Sequence, residues 1–141
     1  MSNPTENTAT VVIERVFPHP PEKIWRALTE KSLIAEWLLQ NDFAPVVGQK
    51  FQLRADPVAQ WNGIIDCKVL IVDPLKQLAY SWRTLGLGST VVFTLAPAAG
   101  GTLLRMEHSG FRSDQGAAYK GATYGWQEFF GNLDQLLERL D

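Results

Sequence analysis

Residues 10–17 are dense in β-branched side chains and predict a strand. Pro18, Pro20 and Pro21 end it, and the last two suit the first turn of a helix. Ile24, Trp25 and Leu28 then fall on one side of a short helix over 22–28. Leu33, Ile34, Trp37 and Leu38 do the same over 30–38. Pro45 and Gly48 mark a loop, after which the hydrophobic period changes from about 3.6 to two. Phe51 and Leu53 alternate with polar neighbours over 49–54. A longer strand over 61–72 carries Trp61, Gly63, Ile65, Cys67, Val69 and Ile71 on one face, with Asn62, Asp66 and Lys68 on the other. Asp73-Pro74 turns the chain. Leu78, Tyr80 and Trp82 alternate over 78–83, a loop with two glycines covers 85–89, and a further strand covers 90–95. The double glycine in 98–101 reads as a hairpin turn. The returning strand, 102–108, has Leu104, Met106 and His108 on one face, with Leu103, Arg105 and Glu107 on the other.

Residues 115–140 predict one long amphipathic helix, about 39 Å in length. Tyr119, Ala122, Thr123, Trp126, Phe129, Phe130, Leu133, Leu136, Leu137 and Leu140 recur at spacings of three and four. Gly116, Gly121, Gly125 and Gly131 weaken that helix by about 1 kcal/mol each relative to alanine. The order of one strand, two short helices, about five strands in meander and one long helix predicts an α+β domain with an antiparallel sheet of about six strands. Only the last helix is long enough to cover that sheet, and a gap between them is a natural ligand cavity. One domain over 10–141, preceded by a frayed polar tail over 1–9, is the expected organisation.

Composition narrows the reading. At 141 residues the chain is one ordinary domain. Thirteen basic and fifteen acidic residues leave a net charge of −2, which argues against a nucleic-acid partner. Cys67 is the single cysteine, so no internal disulfide forms and no zinc spacing exists. There is no HExxH, nucleophile elbow, P-loop or dinucleotide fingerprint; no metal or cofactor is expected. No stretch suggests a signal peptide or membrane insertion, and a cytoplasmic location is expected. Five Trp, seven Phe and three Tyr are many large rings for this length, and they line either a generous core or a pocket.

Several segments resemble a known family. The hairpin over 90–111, with its Gly100-Gly101-Thr102 turn and closing His108-Ser109-Gly110, is similar to that of the family named for the activator of the ninety-kilodalton heat-shock chaperone's ATPase. Pro21-Glu22-Lys23-Ile24-Trp25 with Leu28-Thr29 resembles the family's first-helix signature, and Trp37 its second-helix tryptophan. Leu78-Ala79-Tyr80-Ser81-Trp82 resembles a strand motif, and Gly125-Trp126 followed by Leu133 its C-terminal helix. The resemblance implies the helix-grip fold of the START and birch-pollen-allergen superfamily, whose members enclose apolar ligands between sheet and long helix. Some of those members are aromatases, cyclases or hydrolases. Chaperone activators of eukaryotes carry the fold after a separate N-terminal domain, which is not expected here.

The first expectation is therefore a small apolar or aromatic molecule bound between the sheet and the 115–140 helix. Its candidate contacts are Trp37, Phe51, Trp61, Ile65, Tyr80, Trp82, Phe93, Met106, His108, Tyr119, Thr123 and Trp126. The second is a cyclase or hydrolase using His108 and Tyr80, although Asp66 and Glu107 face outward and no inward carboxylate pairs with His108. The third is a protein-interaction module of the chaperone-activator kind. A homodimer is compatible with all three. His108 has a plainer role open to it as a strand-end residue bonded to neighbouring backbone, and His19 reads as an exposed loop residue.

Overall fold

The structure, a computed structural model, describes residues 8–58 and 61–140. The expected tail lies outside the described residues except for Thr8 and Ala9, which belong to the first strand. The elements are β1 (Thr8–Phe17), α1 (Pro21–Thr29), α2 (Lys31–Trp37), β2 (Gln40–Asn41), β3 (Lys50–Arg54), β4 (Ile64–Asp73), β5 (Gln77–Thr84), β6 (Leu87–Ala98), β7 (Gly101–Arg112) and α3 (Gly116–Arg139). All strands pair antiparallel in one seven-stranded sheet ordered β1-β7-β6-β5-β4-β3-β2. The strand beyond the expected six is β2, two residues paired with Leu53 and Arg54 and too short to show a period.

Two expected boundaries move for local reasons. The strand foreseen from residue 61 starts at Ile64, because the Asn62 side-chain oxygen accepts from the Ile64 N–H (3.1 Å) and turns the chain before it. Gly63, at φ 81°, lets the backbone approach Ala55, whose N–H donates to the Gly63 carbonyl (2.8 Å); a Cβ there would overlap the Ala55 carbonyl oxygen. The loop foreseen at 85–89 is a two-residue turn. Leu85 and Gly86 both take positive φ, as a type I′ hairpin requires, so β6 already begins at Leu87.

Register sets which side chains share the concave face. Val11, His108, Val91, Tyr80 and Val69 form one row across five strands, and Ile13, Met106, Phe93 and Leu78 the next. Irregularities at Ala9/Thr10 and at Val69/Ile71 mark the first and fourth strands, the kind of feature that bends a sheet. On the convex face Arg105 joins Glu14 (2.8 Å) and Glu107 (3.0 Å); these solvated pairs add little.

The covering helix is asymmetric. Every fully buried residue of α3 lies from Trp126 onward: Trp126, Phe130, Leu133, Leu136 and Leu137. That half packs against the sheet and the two short helices. Arg15 of β1 donates to the Phe130 carbonyl (3.3 Å), and Arg139 meets Glu36 of α2 (3.1 Å). Trp37 donates its indole N–H to the Ala27 carbonyl (2.8 Å), pinning α2 to α1, and meets Phe93 edge-on. His19 is half-buried rather than exposed. Its carbonyl accepts from the buried Thr102 hydroxyl (2.8 Å) and its Nδ1 from Lys23 (3.2 Å), because the β7 end presses against the chain entering α1.

The β6–β7 turn separates two reasons for glycine. Gly100 needs its φ of 82° but has open space around it; a Cβ on Gly101 would overlap the Phe17 carbonyl oxygen. Gly100→Ala should lose about 1 kcal/mol. Gly101→Ala should lose about 2–3 kcal/mol or force β1 and β7 apart. Urea unfolding midpoints of the two variants measure the difference; equal losses would mean that the close approach to Phe17 is dispensable.

Candidate functional site

A cavity of about 470 Å³ lies between the sheet and the first half of α3. Its roof comes from a stretch of small residues: Ala118, Gly121, Ala122 and Gly125 fall on one helical face, followed by the large Trp126 and Phe129. Gly121 is exposed, and beyond its own stretch of helix no heavy atom lies within 4 Å of where its Cβ would stand. The floor is Ile65, Trp82, Ser89 and His108. Trp61 and Leu39 close one side, and Leu85 and Leu87 of the β5–β6 hairpin stand at another. Helix and sheet therefore meet tightly below Trp126 and part above it.

The polar atoms of the wall are tied to one another. The Trp126 indole N–H donates to His108 Nδ1 (2.9 Å). An indole nitrogen only donates, so Nδ1 is an acceptor and the proton of neutral His108 sits on Nε2. Nε2 lies 2.7 Å from Ser89 Oγ and donates to it; the Ser89 hydroxyl in turn donates to the Trp82 carbonyl (3.0 Å). A second chain runs from the Trp61 indole N–H to Thr84 Oγ1 (2.8 Å) and on to the Ile64 carbonyl (2.9 Å). Burial pushes the His108 pKa down to about 4, so the ring is neutral at ordinary pH. His108 is 2% exposed and packs against Trp82 (5.2 Å between ring centres) and Phe111 (4.7 Å). Both ring nitrogens bond side chains from other elements, not the neighbouring backbone. No Asp, Glu, Lys or Arg side chain is among the described residues lining the cavity.

Of the twelve residues singled out from sequence, Trp61, Ile65, Trp82, His108 and Trp126 line this cavity. The others lie elsewhere. Trp37, Phe51, Tyr80, Phe93 and Met106 belong to the packed core, where Tyr80 stacks edgewise on Phe51 (5.2 Å) and lies near Phe43 and Phe93. Phe51, Tyr80, Phe93 and Met106 share the concave face with His108, Tyr80 even its row, but they pack among core side chains, with Trp37 of α2 meeting Phe93. Tyr119 and Thr123 are half-buried on α3 beside the cavity rather than in its wall. The Tyr119 ring meets Phe111 edge-on (5.9 Å), and the Thr123 hydroxyl donates back to the Tyr119 carbonyl (2.9 Å). Tyr80 and His108 are separated by Val91 in their shared row, so the two do not converge on one point in the cavity. The Cys67 thiol is buried, and burial pushes its pKa up, which keeps it protonated.

Ser89, Thr84, Phe111 and Phe129 are wall residues that the sequence did not single out. The small residues at 118, 121, 122 and 125 were the readable signal for the roof, since their spacing of three and four traces one helical face. Ser89 was hidden by the hairpin: only a two-residue turn at Leu85-Gly86 puts it opposite Trp82. A second concavity, about 570 Å³, lies where the β4–β5 turn meets the β6–β7 end; Asp73 and Lys76 line it, and no aromatic ring does. Among the described residues no group of His, Cys, Asp and Glu could hold a metal ion, and no helix is long and apolar enough to cross a membrane.

Known structures share this architecture. The crystal structure of protein MLL2253 from Mesorhizobium loti is 53% identical, with a TM-score of 0.88 over 94% of this chain and 99% of that one. The Aha1 dimer from Colwellia psychrerythraea is 23% identical, with a TM-score of 0.80 over 93% of this chain and 97% of that one. DynU16, a protein of the dynemicin biosynthetic locus, is 24% identical, with a TM-score of 0.78 over 92% of this chain and 47% of that one. No curated protein matches the chain. The profile of the family described as "Activator of Hsp90 ATPase homolog 1-like protein" matches residues 18–138, and this chain belongs to that family.

Proposed function

We propose that this protein binds a small, mostly apolar, ring-bearing organic molecule between its sheet and the first half of α3. The observation that carries the reading is the cavity of about 470 Å³, walled by Trp61, Trp82, Phe111, Trp126 and Phe129 under a roof of small residues. That volume falls in the range of small-molecule sites. Each ~100 Å² of apolar ligand surface removed from water contributes about 2.5 kcal/mol, so affinity comes from burial rather than from charge. A relative in fold from a natural-product locus, DynU16, supports an organic ligand. The Aha1 dimer among the similar structures supports self-association as a companion property. The cavity, not the family's name, supports ligand binding ahead of chaperone contact. A location in the cytoplasm remains part of this proposal.

Catalysis by His108 is disfavoured by its chemistry. A general base needs a free nitrogen facing the reacting proton. Here Nδ1 already accepts from Trp126, and Nε2 already carries a proton. The ring therefore orients the wall and the binding reading stands without a turnover step.

The binding reading has a direct test. N-phenyl-1-naphthylamine, an uncharged fluorescent probe, should bind saturably at one site. Gly121→Leu should weaken that binding by about tenfold or more, because the new side chain enters the cavity where a Cβ meets no atom. Its thermal stability should hold or rise, since replacing a helical glycine contributes up to about 0.8 kcal/mol. Absence of saturable binding, or equal affinity in Gly121→Leu, overturns the proposal.

The neutral His108 predicts a pH dependence. Its folded pKa of about 4 lies below the ordinary 6.5. The unfolded chain therefore takes up a proton first as pH falls. Stability from this group is complete above about pH 6.5 and is lost on the way down to pH 4, with a slope approaching 1.4 kcal/mol per pH unit at most. Between pH 7 and pH 4.5, urea unfolding of the native protein should lose about 2 kcal/mol more than His108→Gln does. Equal losses would show that His108 is not held neutral.

A further inference from the structure

The polar valences left over in the cavity wall specify the ligand further, on the reading that the cavity binds one. No charged side chain among the described residues lines the cavity, so a carboxylate entering it would give up its hydration for no ionic partner. The side-chain donors of the two hydrogen-bonded chains are already committed. The N–H groups of Trp126, His108 and Trp61 and the hydroxyls of Ser89 and Thr84 all donate within the protein. A hydroxyl oxygen has two acceptor sites. Ser89 Oγ uses one for His108 Nε2–H, and its own proton goes to the Trp82 carbonyl. Thr84 Oγ1 is spent in the same way, on the Trp61 N–H and the Ile64 carbonyl, so each oxygen keeps one lone pair; that of Ser89 Oγ belongs to a side chain that lines the cavity beside the Trp82 and Trp126 rings.

We infer that the cavity selects an uncharged aromatic molecule bearing a hydroxyl or N–H donor, with that donor directed at Ser89 Oγ. Two features make the position specific. Trp126 holds the His108 tautomer, so His108 cannot turn Ser89 into a donor towards the ligand. The Trp82 carbonyl holds the Ser89 proton, so the free valence of Ser89 is an acceptor. The site thus reads the sense of a hydrogen bond as well as the shape of a ring.

Displacement of N-phenyl-1-naphthylamine by three naphthalenes of similar size tests this at pH 7. 2-Naphthol is neutral and donates, 2-methoxynaphthalene is neutral and only accepts, and 2-naphthoate is an anion. 2-Naphthol should displace the probe about three- to tenfold more tightly than the ether, the effect of one hydrogen bond. 2-Naphthoate should be weaker than 2-naphthol by at least about tenfold. In Ser89→Ala the His108 Nε2–H is left facing the cavity, and the naphthol-to-ether ratio should fall to one or invert; Ser89→Thr should keep the native ratio. Equal displacement by naphthoate and naphthol overturns the inference, as does a ratio unchanged in a folded Ser89→Ala protein. If the probe binds but the three naphthalenes are not distinguished, only this inference falls. If the probe does not bind at all, the ligand-binding reading falls with it.

Discussion

One hydrogen bond sets the geometry of the whole site: the Trp126 indole N–H to His108 Nδ1, 2.9 Å long and buried. It joins the middle of α3 to β7. Trp126 is also the first fully buried residue of the helix, so the bond stands where the two layers change from parted to packed. Beyond it Phe130, Leu133, Leu136 and Leu137 close the interface; before it the small side chains leave space. An unpaired indole N–H or imidazole nitrogen at this depth would incur a desolvation penalty of about 1–3 kcal/mol. Each group therefore needs the other. The pairing fixes the tautomer of His108, and the tautomer fixes the orientation of Ser89. A single interlayer contact thus sets the depth of the cavity and the polarity of its floor.

The aromatic residues divide according to this boundary. Tyr80, Phe93 and Trp37 interlock with Phe43 and Phe51 at ring-centre separations of 5.0–6.3 Å and form a closed core. Trp82, Trp126, Phe111 and Phe129 form a second group, open on one side. Trp126 belongs to both, meeting Phe93 (5.9 Å) and Trp82 (5.4 Å). Rings of the same kind, on the same face of the same strands, thus serve packing on one side of Trp126 and line a space on the other.

That division explains what the sequence could reveal. Alternation along β5 and β7 correctly separates inward from outward residues, because a strand has a strict period of two. It identifies the face and not what covers each residue on it. Tyr80 and Trp82 are two residues apart and point the same way, yet one is enclosed and the other borders the cavity. The deciding variable is what α2 and α3 place above each residue, and that depends on long-range docking. The roof was more legible, since a helix carrying small residues at 118, 121, 122 and 125 and large ones from 126 describes its own standoff. The hydrogen-bonded chain was not, because it joins β5, β6, β7 and α3 through residues separated by up to 44 positions. The two-residue turn at Leu85-Gly86 was the remaining blind spot, since Leu85 takes a left-handed conformation that its chemistry does not advertise, whereas the double glycine announced the turn between β6 and β7.

The size of the cavity constrains its state. Residual voids in protein cores lower stability by about 24 cal/mol per Å³. A sealed, dry space of about 470 Å³ would then cost on the order of 10 kcal/mol, comparable to the whole folding stability of a typical domain. The cavity is open on one side, so water reaches the space and the fold does not carry that penalty. Water finds few partners here, since the side-chain polar atoms of the floor are largely bonded to one another and the remaining surface is mostly hydrocarbon and ring. Apolar walls that are wet but poorly hydrated favour replacement of that water by apolar surface. The same arrangement that keeps His108 neutral and Ser89 oriented thus leaves water few polar partners on the cavity floor.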